Sequence, residues 1–146
     1  MFVSRYNANG TLDLGYGSAG ASGIDFGYGN ELATALALQP DGKLVVGGTT
    51  RNGVARYFSL VRLTATGTID VTFGSLGLRL TSLGGNSAAS GISSLLLQPD
   101  GSIVAVGYSV DPGAAGWSYL AMARFLSNGG PDISFGFNSA VRQVPI

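Results

Sequence analysis

The chain contains no cysteine and no histidine. Those two absences exclude disulfides, thiolate nucleophiles, histidine-based triads and the usual zinc, copper and iron ligands. Charge is also scarce: charged residues make up 11% of the 146 residues, against about 25% in an average soluble domain. Eight basic residues balance eight acidic ones, so no net field draws in nucleic acid or an anionic membrane. No run of 18 apolar residues is present, which excludes a helical membrane span. The opening MFVSRYNANG lacks the apolar core of a signal peptide and reads as the interior of a repeat. A cysteine-free chain folds equally well in oxidising or reducing surroundings, so composition leaves the compartment open.

What the chain has in abundance is glycine, 24 residues, or more than twice the usual share of about 7%. It also repeats itself, and self-similarity at a fixed period is the first thing to read. LQPDG stands at 38–42 and again at 97–101. RYNANGTLDLGYG at 5–17, RLTATGTIDVTFG at 62–74 and RFLSNGGPDISFG at 124–136 align residue for residue. Each carries Arg, then Asp eight positions on, then Tyr or Phe followed by Gly. The 146 residues therefore read as a single repeat domain. It has a partial unit at 2–20, full units at about 21–77 and 78–139, and the start of another at 140–146. Length changes between units fall around 78–91 and 108–118, as expected of surface loops.

Within each unit the pattern is β. KLVVGG and SIVAVG are short apolar runs ended by glycine, and YFSLVRL and YLAMARF are apolar at nearly every position. Both patterns describe strands covered on two faces. Pro-Asp-Gly before a strand is turn chemistry, and it requires Gly42 and Gly101 to take φ > 0. ELATALALQ at 31–39 is rich in helix formers. Its equivalent SGISSLLLQ at 90–98 is not, so both are read as strands. The fold expected is all-β, with propeller-like blades of about four antiparallel strands. A β-sandwich or solenoid is the alternative. A porin-like barrel would need a polar face on each strand, and YLAMARF has none.

The run LQPDGKLVVGG, a loop, then FSLVRLTATGTIDVTFG resembles the delta-60 repeat, a bacterial family of about this period. The resemblance covers both full units and the tail of the first, and departs at Pro131, where the other units carry Leu12 and Ile69. It implies a propeller-like fold in large, often secreted or surface-associated bacterial proteins. It brings no catalytic or binding residues with it.

The pairs Arg5/Asp13, Arg62/Asp70 and Arg124/Asp132 recur in every unit, which marks them as framework rather than an active site, as with Gly42 and Gly101. NANGTLD at 7–13 mimics part of a calcium loop, but its equivalents lose the oxygen ligands, and it reads as an Asn-Gly turn. The glycine-rich stretch 15–31 has no lysine and no phosphate-binding pattern. No metal or cofactor is expected. Outside the repeat pattern the carboxylates are Asp25, Glu31 and Asp111. A hydrolase pairing Asp111 with Asp25 or Glu31 is the alternative to a non-enzymatic module. Binding is better served by the variable loops: Arg51, Asn52, Arg56 and Tyr57 in one, Tyr108, Asp111, Trp117 and Tyr119 in the other. Aromatic rings beside polar groups suit glycan or protein contact. Tyr57 and Tyr119 occupy equivalent positions and also suit a packing role, whereas Trp117 has no counterpart. Few charges guard the apolar strand edges, so a cyclic homo-oligomer of about two to five chains is expected, with terminal strands completing blades across subunits.

Overall fold

The computed structural model describes residues 1–53, 55–83, 89–111, 117–136 and 141–145. Among them there is no helix. Ten strands run in chain order: β1 Phe2–Ser4, β2 Ala21–Gly23, β3 Asn30–Leu38, β4 Leu44–Asn52, β5 Ala55–Leu63, β6 Leu78–Thr81, β7 Ala89–Leu97, β8 Ile103–Asp111, β9 Trp117–Phe125 and β10 Val141–Pro145. They form a two-stranded sheet β1-β2, a four-stranded sheet β3-β4-β5-β6 and a second four-stranded sheet β7-β8-β9-β10. Every pairing is antiparallel. The all-β expectation holds, and ELATALALQ is strand β3 despite its helix formers.

The sheets are stacked face to face, and adjacent residues of a central strand serve different cores. Val45, Phe58, Leu60 and Phe73 pack with Ile92, Ile103, Ala105, Ala121, Ala123 and Phe125 between the two four-stranded sheets. Val46, Val61, Leu63 and Leu78 pack with Val3, Tyr16 and Ile24 on the other side. This is the period-2 alternation of a strand with both faces apolar, and it explains the unbroken hydrophobic runs. In the last sheet the alternation becomes visible. Ile103, Ala105, Ala121 and Ala123 are fully buried, while Leu120, equivalent to the fully buried Phe58, is 40% exposed. No described sheet covers that outer face.

Sheets and sequence units are offset by one strand. β2 closes the β1 sheet, β6 closes the second and β10 the third, although each follows the Arg–Asp motif in sequence. The terminal strands therefore pair within the chain, β1 with β2 and β10 with β9. β10 is the outer strand of the four-stranded third sheet. The two LQPDG turns lie side by side, with Leu38, Gln39 and Pro40 sharing a hollow with Leu97, Gln98 and Pro99. Gly42 and Gly101 take φ of +81° and +83°.

Glycine is needed for a different reason in the middle of β4 and β8. Each inner strand bulges at the same place, between Ala33 and Ala35 and between Ile92 and Ser94. The bulge drives the carbonyl of Leu32 or Gly91 to within 1.8 or 2.0 Å of where a Cβ on Gly48 or Gly107 would stand. Only a glycine fits. Pro131 is accommodated as well, bridging Phe125 as Ile69 bridges Leu63. The hydrogen bonds beside it are donated by the N–H groups of Leu126 and Asp132, so its missing N–H is not called upon.

The equivalent turns ending in Gly10 and Gly129 provide a comparison. Both glycines are left-handed, at φ +84° and +82°. A Cβ on Gly10 meets nothing within 4 Å, whereas one on Gly129 comes to 2.9 Å from Gly74 N and the Phe73 ring of the preceding unit. Gly10→Ala should cost about 1–2 kcal/mol, the left-handed strain alone. Gly129→Ala should cost clearly more, because the units must also part. Urea unfolding midpoints of the two variants measure the difference.

Candidate functional site

Each repeated arginine is held by its own aspartate and rests on an aromatic ring, and the first two also reach the next unit. Arg62 donates from Nε to Asp70 Oδ2 at 2.9 Å, from Nη2 to Thr72 Oγ1 at 3.3 Å, and from Nη1 to the Ser127 carbonyl of the next unit at 2.6 Å. Its guanidinium lies over the Phe73 ring, 4.7 Å from the centroid. Arg5 repeats this with Asp13 at 2.7 Å, the Ala65 carbonyl of the next unit at 2.7 Å and the Tyr16 ring. A backbone bond accompanies each crossing: Gly17 N–H donates to Thr66 O and Gly74 N–H to Asn128 O, both at 2.8 Å. The motif is thus a lock between successive units. Arg reaches forward, Asp fixes it, the aromatic ring supports it, and the following glycine brings the backbone close.

The three copies differ in burial. Arg62 and Asp70 are 8% and 7% exposed, Arg5 and Asp13 44% and 26%. Arg124 donates to Asp132 at 2.7 Å and to Ser134 Oγ at 3.1 Å and covers the Phe135 ring. Its Nη1 has no partner among the described residues. The Thr72 hydroxyl foremost, then Lys43 at 3.1 Å and Arg62, hold the Asp70 carboxyl well below the usual carboxylate range against the opposing effect of burial. Ser134 and Arg124 lower Asp132 in the same direction.

The loop residues divide differently from their order in sequence. Arg51 pairs directly with Arg56, and Thr50 with Tyr57, so alternation puts Asn52 and Tyr57 on one face and the two arginines on the other. Arg51 and Arg56 border a crevice of about 380 Å³ between the two four-stranded sheets, together with Asn30, Thr34, Thr49 and Tyr108. Arg51 Nε donates to Gly53 O at 2.8 Å. Tyr119 is half-buried on the inner face of β9, opposite Ser109. Asp111 and Trp117 face each other in register at the end of the β8–β9 hairpin. Their side chains and the loop 112–116 lie outside the described residues, and so does the expected exposure of Trp117.

Asp25 accepts the Gly27 N–H and Glu31 the Phe26 N–H, both at 2.8 Å; each carboxylate ties its own loop. Asn9 Oδ1 accepts from the N–H and hydroxyl of Thr11 and closes the turn, while Asp13 Oδ2 accepts from Arg5. Sequence reading missed Asn30, Thr34 and Thr49 at the crevice. The β-bulge that brings them there has only the Gly48 and Gly107 pair as its signature.

The burial gradient has a thermodynamic consequence. Asp70→Asn strands a buried guanidinium and should cost about 3–5 kcal/mol. Asp13→Asn at the exposed pair should cost about 0–1 kcal/mol. A carboxyl whose folded pKa is depressed contributes stability above its unfolded pKa, near 3.8, and that contribution is lost as pH falls below it. Chemical denaturation from pH 7 down to pH 2 should show a shallower acid decline in Asp70→Asn than in the unaltered protein.

A family model described as a beta-propeller domain of unknown function (DUF5122) matches residues 39–73 and 98–135. The matched segments run from each Pro-Asp-Gly turn through the two central strands to the motif aromatic, and together make up half the chain. No curated protein matches it. With stacked four-stranded antiparallel sheets and a matched segment in each, the chain belongs to the beta-propeller family of unknown function, DUF5122.

Proposed function

We propose that the chain is a non-enzymatic propeller-type module for binding or scaffolding, through glycan or protein contact. The delta-60 resemblance adds the setting, a bacterial surface or secreted protein. A single observation carries the scaffolding part: the lock between units is used twice inside the chain and has matching halves left over. On the trailing side, Arg124 Nη1 and Gly136 N–H stand where Arg62 Nη1 and Gly74 N–H donate, without acceptors among the described residues. On the leading side, the carbonyls of Ala8 and Asn9 stand where Ser127 and Asn128 accept, without donors. Donors at one end and acceptors at the other make the contact heterologous, the kind that closes into rings.

Further apolar surface supports the reading. On the face opposite Ala35 and Ala37, β3 presents Leu36 and Leu38 at 58% and 68% exposure, and the outer face of the third sheet presents Leu120. The lock sits on the outer strands and their turns, so copies can engage through it although the β1-β2 sheet has no inner pair. A further unit of the same kind satisfies either end, and another copy of the chain supplies it in a cyclic homo-oligomer of about two to five chains. Asp25 and Glu31, each tied to a backbone amide, favour binding over hydrolysis.

Size-exclusion chromatography with light scattering tests the assembly. The 146-residue chain should run as a multiple of 14.8 kDa. Arg124→Lys, which keeps the charge but loses the planar fork, should move it toward the monomer. A stable monomer at micromolar concentration refutes the ring.

A further inference from the structure

Arg51 and Arg56 are not part of the repeated framework. The positions equivalent to them in the third sheet are Val110 and Ser118, which pair in the same register. The fold therefore builds this hairpin without cations, and the second sheet carries two of them directly opposed. Like charges in directly opposed positions destabilise a sheet. No carboxylate among the described residues forms a salt bridge with either guanidinium, while Arg5, Arg62, Arg124 and Lys43 all have one. An unrepeated, unneutralised arginine pair at the mouth of a crevice calls for an anion, and the planar fork suits a carboxylate or another oxyanion.

The remaining lining narrows the class. The Thr34 hydroxyl donates to Ile92 O, and the Thr49 hydroxyl to Ser90 O at 3.1 Å. Their donors are spent, and what they offer a ligand is acceptor lone pairs. Gly91 lets Thr49 and Tyr108 close in on its backbone: a Cβ there would come to 2.6 Å from Thr49 Oγ1 and 3.3 Å from the Tyr108 ring. The Tyr108 ring, 41% exposed, therefore stands close beside the Thr49 acceptor. A ligand that fits brings one anionic group, several hydroxyl donors and a compact body with an apolar face. We infer that the crevice between the two four-stranded sheets binds a sugar acid, with Arg51 and Arg56 on the carboxylate, Thr34 and Thr49 accepting from ring hydroxyls, and Tyr108 against the ring.

Both walls belong to one chain, so the site does not depend on ring closure. Calorimetric titration at about 0.15 M salt with a galacturonate trimer, a galactose trimer and sodium sulfate tests it. The expected result is saturable binding of the galacturonate trimer, at least tenfold weaker in Arg51→Gln and in Arg56→Gln, with no binding of the neutral trimer. Sulfate should bind at least tenfold more weakly than the uronate. The unliganded Arg56→Gln protein should melt no lower than the unaltered one, because a repulsion is removed. Failure of the uronate to bind overturns the inference. Equal binding of sulfate or of the neutral sugar overturns it too, and so does a lowered melting temperature, which would make Arg56 framework.

Discussion

The structure depends on one guanidinium used three ways. Arg62 is held by a carboxylate eight residues on, supported by an aromatic ring three residues beyond that, and hydrogen-bonded to a carbonyl 65 residues away. The first two contacts are local and set the side chain's direction. The third spends that direction on the next unit. A lysine could supply the charge but not the flat fork that serves two acceptors while resting on a ring. The cost of burying this ion pair is offset in part because Thr72 and the Ser127 carbonyl accept from its two Nη groups. The framework motif is therefore an instruction for stacking rather than for chemistry.

Sheet packing follows from the lock. Once Arg62 and Gly74 fix the approach of one unit to the next, the apolar residues of β4 and β5 have a defined opposite wall. Bulky Phe58 and Leu60 on one side meet small Ala121 and Ala123 on the other. The inner strand gives up regular pairing at its bulge, and Gly48 and Gly107 are the residues that permit it. Polar crevice residues then stand at the point where the two sheets diverge.

Much of this was legible in the sequence, because the repeat supplied its own control. The helix-rich ELATALALQ was read correctly as a strand only because its partner SGISSLLLQ is a poor helix. The Arg–Asp spacing marked framework because it occurred three times. The carbonyl on the far side of the lock was not legible, since nothing local in RLTATGTID names Ser127. The arginine pair was hidden by a single residue of register. RNGVAR contains an Asn-Gly pair, the usual two-residue hairpin turn, which would set Arg51 against Val54. The strands instead pair Asn52 with Ala55, which brings Arg51 to Arg56. The sheet boundary was not legible either: β2, β6 and β10 each follow the Arg–Asp motif in sequence, yet each joins the sheet that precedes it.

The division of neighbouring residues between two cores, Val45 to one and Val46 to the next, bears on how the molecule comes apart. Each sheet touches only the sheets beside it, so cohesion is shared between nearest neighbours in a row. The middle sheet loses two interfaces when it opens, and the last sheet loses one. Opening therefore proceeds inward from the edges, the two-stranded sheet first, with the residues around Phe58 and Leu60 between the two four-stranded sheets the last to meet solvent. A destabilising change in the middle sheet is felt on both sides at once. The same change in the last sheet stays local, which leaves that sheet freer to vary.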